Sequence, residues 1–312
     1  MKAPSLPLLL LVPLAASADV LSDSTAFLGP RGPQYDASDF EPDQAGEDPV
    51  LAPFSPADSD FGVQQILGTY DGPPPVKVFA FFDINFTDNA PAPTRALEDK
   101  SWYFSGLVGA DWRPLLGAGW FADVGLYQEF YRFDQSNALD FENFQTHAGV
   151  VKTLVDLDDT IFYARYEYQR LTTGSISETN YSAQRIRTGL QKAFYTRARQ
   201  QLAGGVSVAL DLDANPERLE RIEYAAELSY TWWLAQNLSA TASWRGAFWD
   251  FDNGGREDWN HTAGVELAWL FCPHASAYTQ VFYSNNDSNS PLGVNDFEAW
   301  TAGIGIGLNV SF

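Results

Sequence analysis

The chain has very little of what marks most protein classes. Among 312 residues there is one cysteine, Cys272, so no intramolecular disulfide can form. Lysine and arginine number 19 against 40 aspartates and glutamates, a formal net charge of -21. Without a basic face to displace counterions from phosphates, nucleic acid is excluded as a partner. Among the three histidines, His147, His261 and His274, no pair has the spacing of a metal-ligand motif. Asp156-Leu157-Asp158-Asp159 lacks the glycine and distal glutamate of a calcium loop. The expected complement is therefore no metal and no cofactor. No apolar run approaches the roughly 18 residues of a membrane helix. If this chain crosses a membrane, it must do so as a closed barrel.

Aromatic residues, by contrast, make up 15% of the chain and include ten tryptophans, the residue type that gathers at membrane interfaces. The last thirteen residues alternate without a break. Trp300, Ala302, Ile304, Ile306, Leu308, Val310 and Phe312 fall on one face, and Thr301, Gly303, Gly305, Gly307, Asn309 and Ser311 on the other. Period two means a strand, and an apolar face opposite small polar residues fits lipid outside and a polar lumen inside.

The amino terminus reads as an export signal over residues 1–18. Met1-Lys2 supplies a positive start, residues 8–14 an apolar stretch, and Ala16-Ser17-Ala18 a small-residue cleavage site. Residues 19–75 carry eleven acids against a single base, Arg31, with frequent proline and no periodicity. They read as a disordered, acidic periplasmic extension. Within it, residues 61–70 are the apolar patch, read as a linker in preference to a capping element.

From residue 76 to 312 the pattern predicts an all-β, transmembrane, antiparallel up-and-down β-barrel. Twelve strands are predicted, at 76–86, 101–112, 119–133, 143–155, 160–169, 181–195, 201–212, 221–233, 238–251, 259–271, 276–284 and 297–312, with fourteen as the alternative count. Tight turns at 113–118, 156–159, 196–200, 234–237 and 272–275 alternate with longer polar loops such as 87–100, 170–180, 252–258 and 285–296. Trp112, Trp120, Phe194, Trp232, Trp233 and Phe271 lie beside the turns, and Trp102, Phe133, Trp249, Trp259 and Trp300 near the loops, which predicts two aromatic belts. A soluble sandwich also alternates, but belts at both strand ends and the alternating loop lengths favour the barrel.

In this architecture and its closing strand, the chain resembles poorly characterised, porin-like outer-membrane β-barrel proteins of Gram-negative bacteria. The resemblance implies an outer-membrane location, contact with membrane lipid and lipopolysaccharide, and delivery through the barrel assembly machinery, which would read the terminal Phe312. The function expected is passive passage of small hydrophilic solutes through a charge-lined lumen. Strand parity directs Asp83, Asp123, Glu129, Arg165, Glu167, Arg185, Arg187, Glu223, Glu227, Arg245 and Glu266 into the lumen, together with Arg221. A charge facing lipid at mid-depth would cost about 2–4 kcal/mol. Two arrangements compete. In one, Arg165, Arg185, Arg187 and Arg245 form a basic stretch facing acids across the lumen, and the field selects a solute. In the other, the charges pair and fill a narrow barrel. Inward glycines, among them Gly125, Gly205, Gly264, Gly303, Gly305 and Gly307, either leave space or admit neighbours such as Tyr127 and Tyr163.

Such barrels can also be hydrolases, which need a base. Outer-membrane phospholipases place a serine two residues after the histidine, a spacing met here by His274-Ala275-Ser276, in a turn. His147 is followed by no nucleophile, and Asp258 with His261 is a candidate oriented base against the simpler reading of an interfacial histidine beside Trp259. No catalytic residue is assigned. A third reading is a closed, anchoring barrel whose acidic tail recruits partners. Thr146 and Thr188, polar on the outward face, are candidates for contact between barrels.

Overall fold

The computed structural model describes residues 76–89, 100–134, 140–157, 160–173, 179–197, 199–252, 255–290 and 295–311, with the side chains of 195–197 left aside. The expected export signal, the acidic extension with its patch at 61–70, and Phe312 lie outside the described residues.

Twelve long strands and one short one follow each other: β1 (Val76–Thr87), β2 (Ser101–Trp112), the short β3 (Leu115–Gly117), β4 (Trp120–Phe133), β5 (Phe141–Leu154), β6 (Thr160–Thr173), β7 (Thr179–Arg197), β8 (Gln200–Asn215), β9 (Arg221–Ala235), β10 (Leu238–Phe251), β11 (Glu257–Cys272), β12 (Ala275–Ser288) and β13 (Phe297–Ser311). Each long strand pairs antiparallel with the next, β2 skips the short β3 to pair with β4, and β1 pairs with β13. The sheet thus closes on itself, with no free edge. Closure runs in continuous register from Lys77 opposite Ser311 to Thr87 opposite Thr301. The count is twelve, not fourteen; β3 only extends the turn before β4.

Every predicted strand is present, and several run further than predicted at the long-loop end. β6 continues to Thr173, β8 to Asn215 and β12 to Ser288. The extra residues are polar, such as Thr172, Asp213, Asn285 and Asn286. They ended the apolar alternation, but they pair through their backbones all the same.

The alternation resolves into two chemically distinct walls. Outside lie Val206, Ile304, Leu126, Val265 and Trp232, all exposed; an apolar surface this continuous belongs against hydrocarbon. Thr146 and Thr188 do face outward, but their hydroxyls donate to backbone carbonyls of the neighbouring strand, Gly125 O at 2.9 Å and Tyr163 O at 3.1 Å. In lipid a hydroxyl needs such a partner, so neither presents a free polar group to a second barrel. The turn-side belt contains exposed Trp112, Phe194, Trp232, Trp233 and Phe271, and the loop-side belt Trp102, Trp259 and Trp300. Phe133 and Trp249 do not belong to it. They are 5% and 2% exposed and point into the barrel, because their odd parity places them inside whatever their distance from the loops.

Candidate functional site

The lumen is organised by one register row that crosses seven strands. Asp123 on β4 stands opposite Gly149 on β5, which stands opposite Arg165 on β6, then Arg187 on β7, Ala209 on β8, Glu223 on β9 and Trp249 on β10. The two small residues let charges meet over them. Across Gly149, Arg165 Nη1 lies 4.0 Å from Asp123 Oδ2; across Ala209, Arg187 Nη1 reaches Glu223 Oε1 at 2.6 Å. Arg165 and Arg187 are directly opposed like charges, an unfavourable pair by itself. Glu167, one inward step along β6, resolves it by accepting from Arg165 Nε at 2.6 Å and Arg187 Nε at 3.0 Å.

The ladder extends at both ends. Glu223 also pairs with Arg245 Nη2 at 3.0 Å and accepts from Trp249 Nε1 at 2.9 Å, while Arg245 Nε lies 3.7 Å from Glu227. At the other end Arg113 Nε donates to Asp123 at 3.0 Å and Arg113 Nη2 pairs with Asp111 at 3.3 Å. Arg185 pairs with Asp211 at 3.1 Å, and the Arg221 guanidinium lies 4.1 Å over the Trp249 ring. The arginines are therefore interleaved with acids on neighbouring strands, not segregated on one wall opposite them. Of the two competing arrangements, the charges take the paired one and not the transverse field. Parity tells which face a charge takes, but not which charges share a row.

The remaining predicted lumen residues also face inward. Asp83 accepts from Tyr278 Oη at 2.5 Å. Glu129 accepts from Asn143 Nδ2 at 2.8 Å and Gln145 Nε2 at 3.4 Å. Glu266 sits on β11 between Thr241 and Gln280 in register. Asp111, Arg113 and Asp211 belong to the same band although the sequence reading did not single them out. Inward parity would have found Asp111 and Asp211; Arg113 follows the last residue of β2 and carries no parity signal.

Gly125, Gly189 and the inward glycines of the closing strand are covered by large neighbours in register. A Cβ on Gly305 would meet Asp83 Oδ1 and the Tyr278 ring at 2.4 Å, one on Gly125 would meet His147 at 2.3 Å, and one on Gly189 would meet Tyr163 at 2.5 Å. These positions hold side chains, not open volume. The loop end is filled by large side chains, where Tyr103, Tyr131, Phe133, Phe141, Trp249 and Phe297 join one buried cluster. Tyr131 stacks on Phe141 at 4.2 Å. Toward the short turns the wall of β8 to β11 is different. Ala203, Gly205, Ser229, Thr231, Thr241, Ser243 and Gly264 are small and half-exposed, and the Glu227 side chain is 43% exposed. This sector is where water reaches the charge band.

The histidines are dispersed. His147 is buried in the lumen, its Nε2 3.2 Å from Asp123 Oδ2 and its ring stacked on Tyr127. His274 is exposed in the turn between β11 and β12, where its carbonyl accepts from Asn309 N. The candidate pair Asp258 and His261 does not assemble. Asp258 is fully buried inside, held by Arg256 Nε at 2.9 Å and Ser288 Oγ at 2.5 Å. His261 is on the outer wall, stacked between Trp244 and Trp259. Their odd and even positions on β11 put them on opposite faces.

No protein-family model matches the chain, and no curated sequence does. Solved structures do. An outer membrane channel from Pseudomonas putida F1 superposes with a TM-score of 0.54 at 11% identity, covering 78% of this chain and all of the other. The outer membrane phospholipase A from Escherichia coli gives a TM-score of 0.44 at 17% identity, over 80% of this chain and 96% of that one. A KdgM porin in complex with disordered oligogalacturonate gives 0.42 at 10% identity, over 75% and 99%. The likeness to the channel is one of fold: the chain is a closed twelve-stranded antiparallel barrel of the outer-membrane type.

Proposed function

We propose that this chain is exported to the outer membrane and passes small hydrophilic solutes passively along its charge-lined lumen. The observation that carries the reading is the paired arginine and carboxylate band of the inner wall, with the half-exposed Ser, Thr and Gly sector of β8 to β11 beside it. Burying such a band without water would be costly, because desolvation of ion pairs rivals their attraction. A wetted band keeps them solvated and offers permeating solutes hydrogen-bonding partners of both signs. The strand ends at Val76 and Ser311 lie together at the short-turn end, the periplasmic end in this reading. Phe312 would serve recognition by the assembly machinery, and the outer wall would meet lipid and lipopolysaccharide.

The filled loop-end cluster favours a second reading, a barrel closed at its outer mouth. Planar-bilayer conductance of the refolded full chain separates the two. Discrete steps are expected of the channel. Their absence, in the full chain and again after deletion of residues 19–75, overturns it. A hydrolase reading loses its Asp258–His261 pair to the geometry of β11.

A further inference from the structure

A groove of about 760 Å³ crosses the outside of the barrel from β6 to β11. Its floor follows one register row: Phe162, Leu190, Val206, Ala226, Gly246 and His261. The depression exists because Ala226 and Gly246 are small while their flanks are large. Tyr224, Phe248 and Trp259 form one flank, and Trp244 folds over Gly246, where a Cβ would meet its indole at 2.6 Å. Thr188, in the same groove, already has its hydroxyl bonded to Tyr163 O. His261 is different. Its ring lies between the Trp244 and Trp259 rings, 6.1 and 6.4 Å from them, and among the described residues its side chain has no hydrogen-bond partner. An imidazole facing hydrocarbon with no partner is costly.

We infer that this groove binds one acyl chain of an outer-leaflet lipopolysaccharide, with His261 hydrogen-bonding a hydroxyl or linkage carbonyl of that chain. The inference rests on the outer-membrane placement proposed above. The direction of the groove supports it. His261 is four residues from the loop end of β11, one inward step beyond the loop-side belt at Trp259, whereas Phe162 is two residues from the turn end of β6. Six strands about 4.8 Å apart span roughly 24 Å. With strands tilted about 35–45°, such a row descends roughly 14–17 Å, about one leaflet's share of a hydrocarbon core about 30 Å thick. The polar atom sits at the top of that descent, where an acyl chain carries its linkage, and the apolar floor lies below.

Native mass spectrometry of the full chain, incubated in detergent micelles with purified lipid A or with phosphatidylethanolamine, tests the assignment. The folded protein is expected to retain one lipid A in preference to phosphatidylethanolamine. His261→Phe, which keeps the ring and removes the polar atoms, and Ala226→Phe, which fills the floor, should each reduce retention at least fivefold. Heat-modifiable migration on gels verifies that both variants fold; should Ala226→Phe fail, Ala226→Leu replaces it. Equal retention by folded wild type and variants, or no preference between the two lipids, overturns the proposal. Conductance is read in parallel. Its absence beside normal lipid A retention removes the channel and leaves this site standing.

Discussion

Glu167→Gln is the substitution that most directly tests the charge band. It preserves shape and removes the one carboxylate that bridges the opposed Arg165 and Arg187. Side chains directly opposite on paired strands have Cβ atoms about 5 Å apart, and two unit charges at about 5 Å repel by about 3 kcal/mol at an effective dielectric of about 20. Each arginine keeps a second acid, Asp123 at 4.0 Å for Arg165 and Glu223 at 2.6 Å for Arg187. That retention puts the expected loss at about 2–3 kcal/mol, below the roughly 3–5 kcal/mol of breaking a fully isolated buried pair. The assay is reversible urea unfolding of the barrel in lipid vesicles, followed by tryptophan fluorescence, with the midpoint moving and the slope unchanged. The decisive arm is Glu167→Gln with Arg165→Gln. Removing one of the opposed cations should recover about half or more of the loss, a coupling of the kind double-mutant cycles measure. If the single substitution costs less than about 0.5 kcal/mol, the value of an ordinary surface change, or if the second does not rescue it, the bridging role is refuted.

Gly149→Ala should destabilise the barrel by about 1–3 kcal/mol through overpacking, because its Cβ would lie 2.3 Å from Ala164 O and 2.6 Å from Arg165 Cα, which are backbone atoms. Gly305→Ala should cost less, about 1 kcal/mol, the worth of one hydrogen bond, since it meets the movable ends of Asp83 and Tyr278; urea midpoints compare the two. Under the proposed solute passage, Glu227→Gln should lower cation preference by roughly a factor of two, since a charge about 10 Å from a permeating ion in water is worth about 0.4 kcal/mol. Reversal potential across a KCl gradient reads this out, and an unchanged value would remove Glu227 from the pathway. Deleting Phe312 should reduce the folded, heat-modifiable fraction in the outer membrane before it changes conductance per barrel. Normal insertion would refute the closing-strand role.

Facing was legible in the sequence because it depends on period two alone. The outward Tyr224, Leu228 and Trp232 and the inward Glu223 and Glu227 alternate on a single strand, and no knowledge of neighbours is needed to separate them. The belts were legible only where parity agreed with position, and Trp249 shows the failure. Nearness to a loop placed it at the interface, while its odd number places it inside, where it donates to Glu223. The charge pairing was not legible, because it depends on register. Whether Arg187 meets Glu223 or passes above it is set by stagger summed over β7, β8 and β9, including the bulge between Gln184 and Arg185. A single residue of slip would turn one partner toward lipid.

Glycine content is a poor guide to lumen width for a related reason. Each inward glycine of the closing strand has a large partner in register: Gly305 takes Tyr278 and Asp83, Gly307 takes Phe81, and Gly303 takes Asn85. The small residue is the complement of the large one, as close packing requires. Along the charge row the same device lets ions meet across a strand, with Ala209 beneath the Arg187–Glu223 pair and Gly149 beneath Arg165 and Asp123. The inner wall is half-exposed where small residues face small residues across adjacent strands. Ala203 opposite Ser229, Ser229 opposite Ser243 and Ser243 opposite Gly264 form such a run across β8 to β11. Which part of the inner wall stays open is therefore decided by which small residues are neighbours, and in this chain that places the exposed sector beside Glu227 on one side of the barrel.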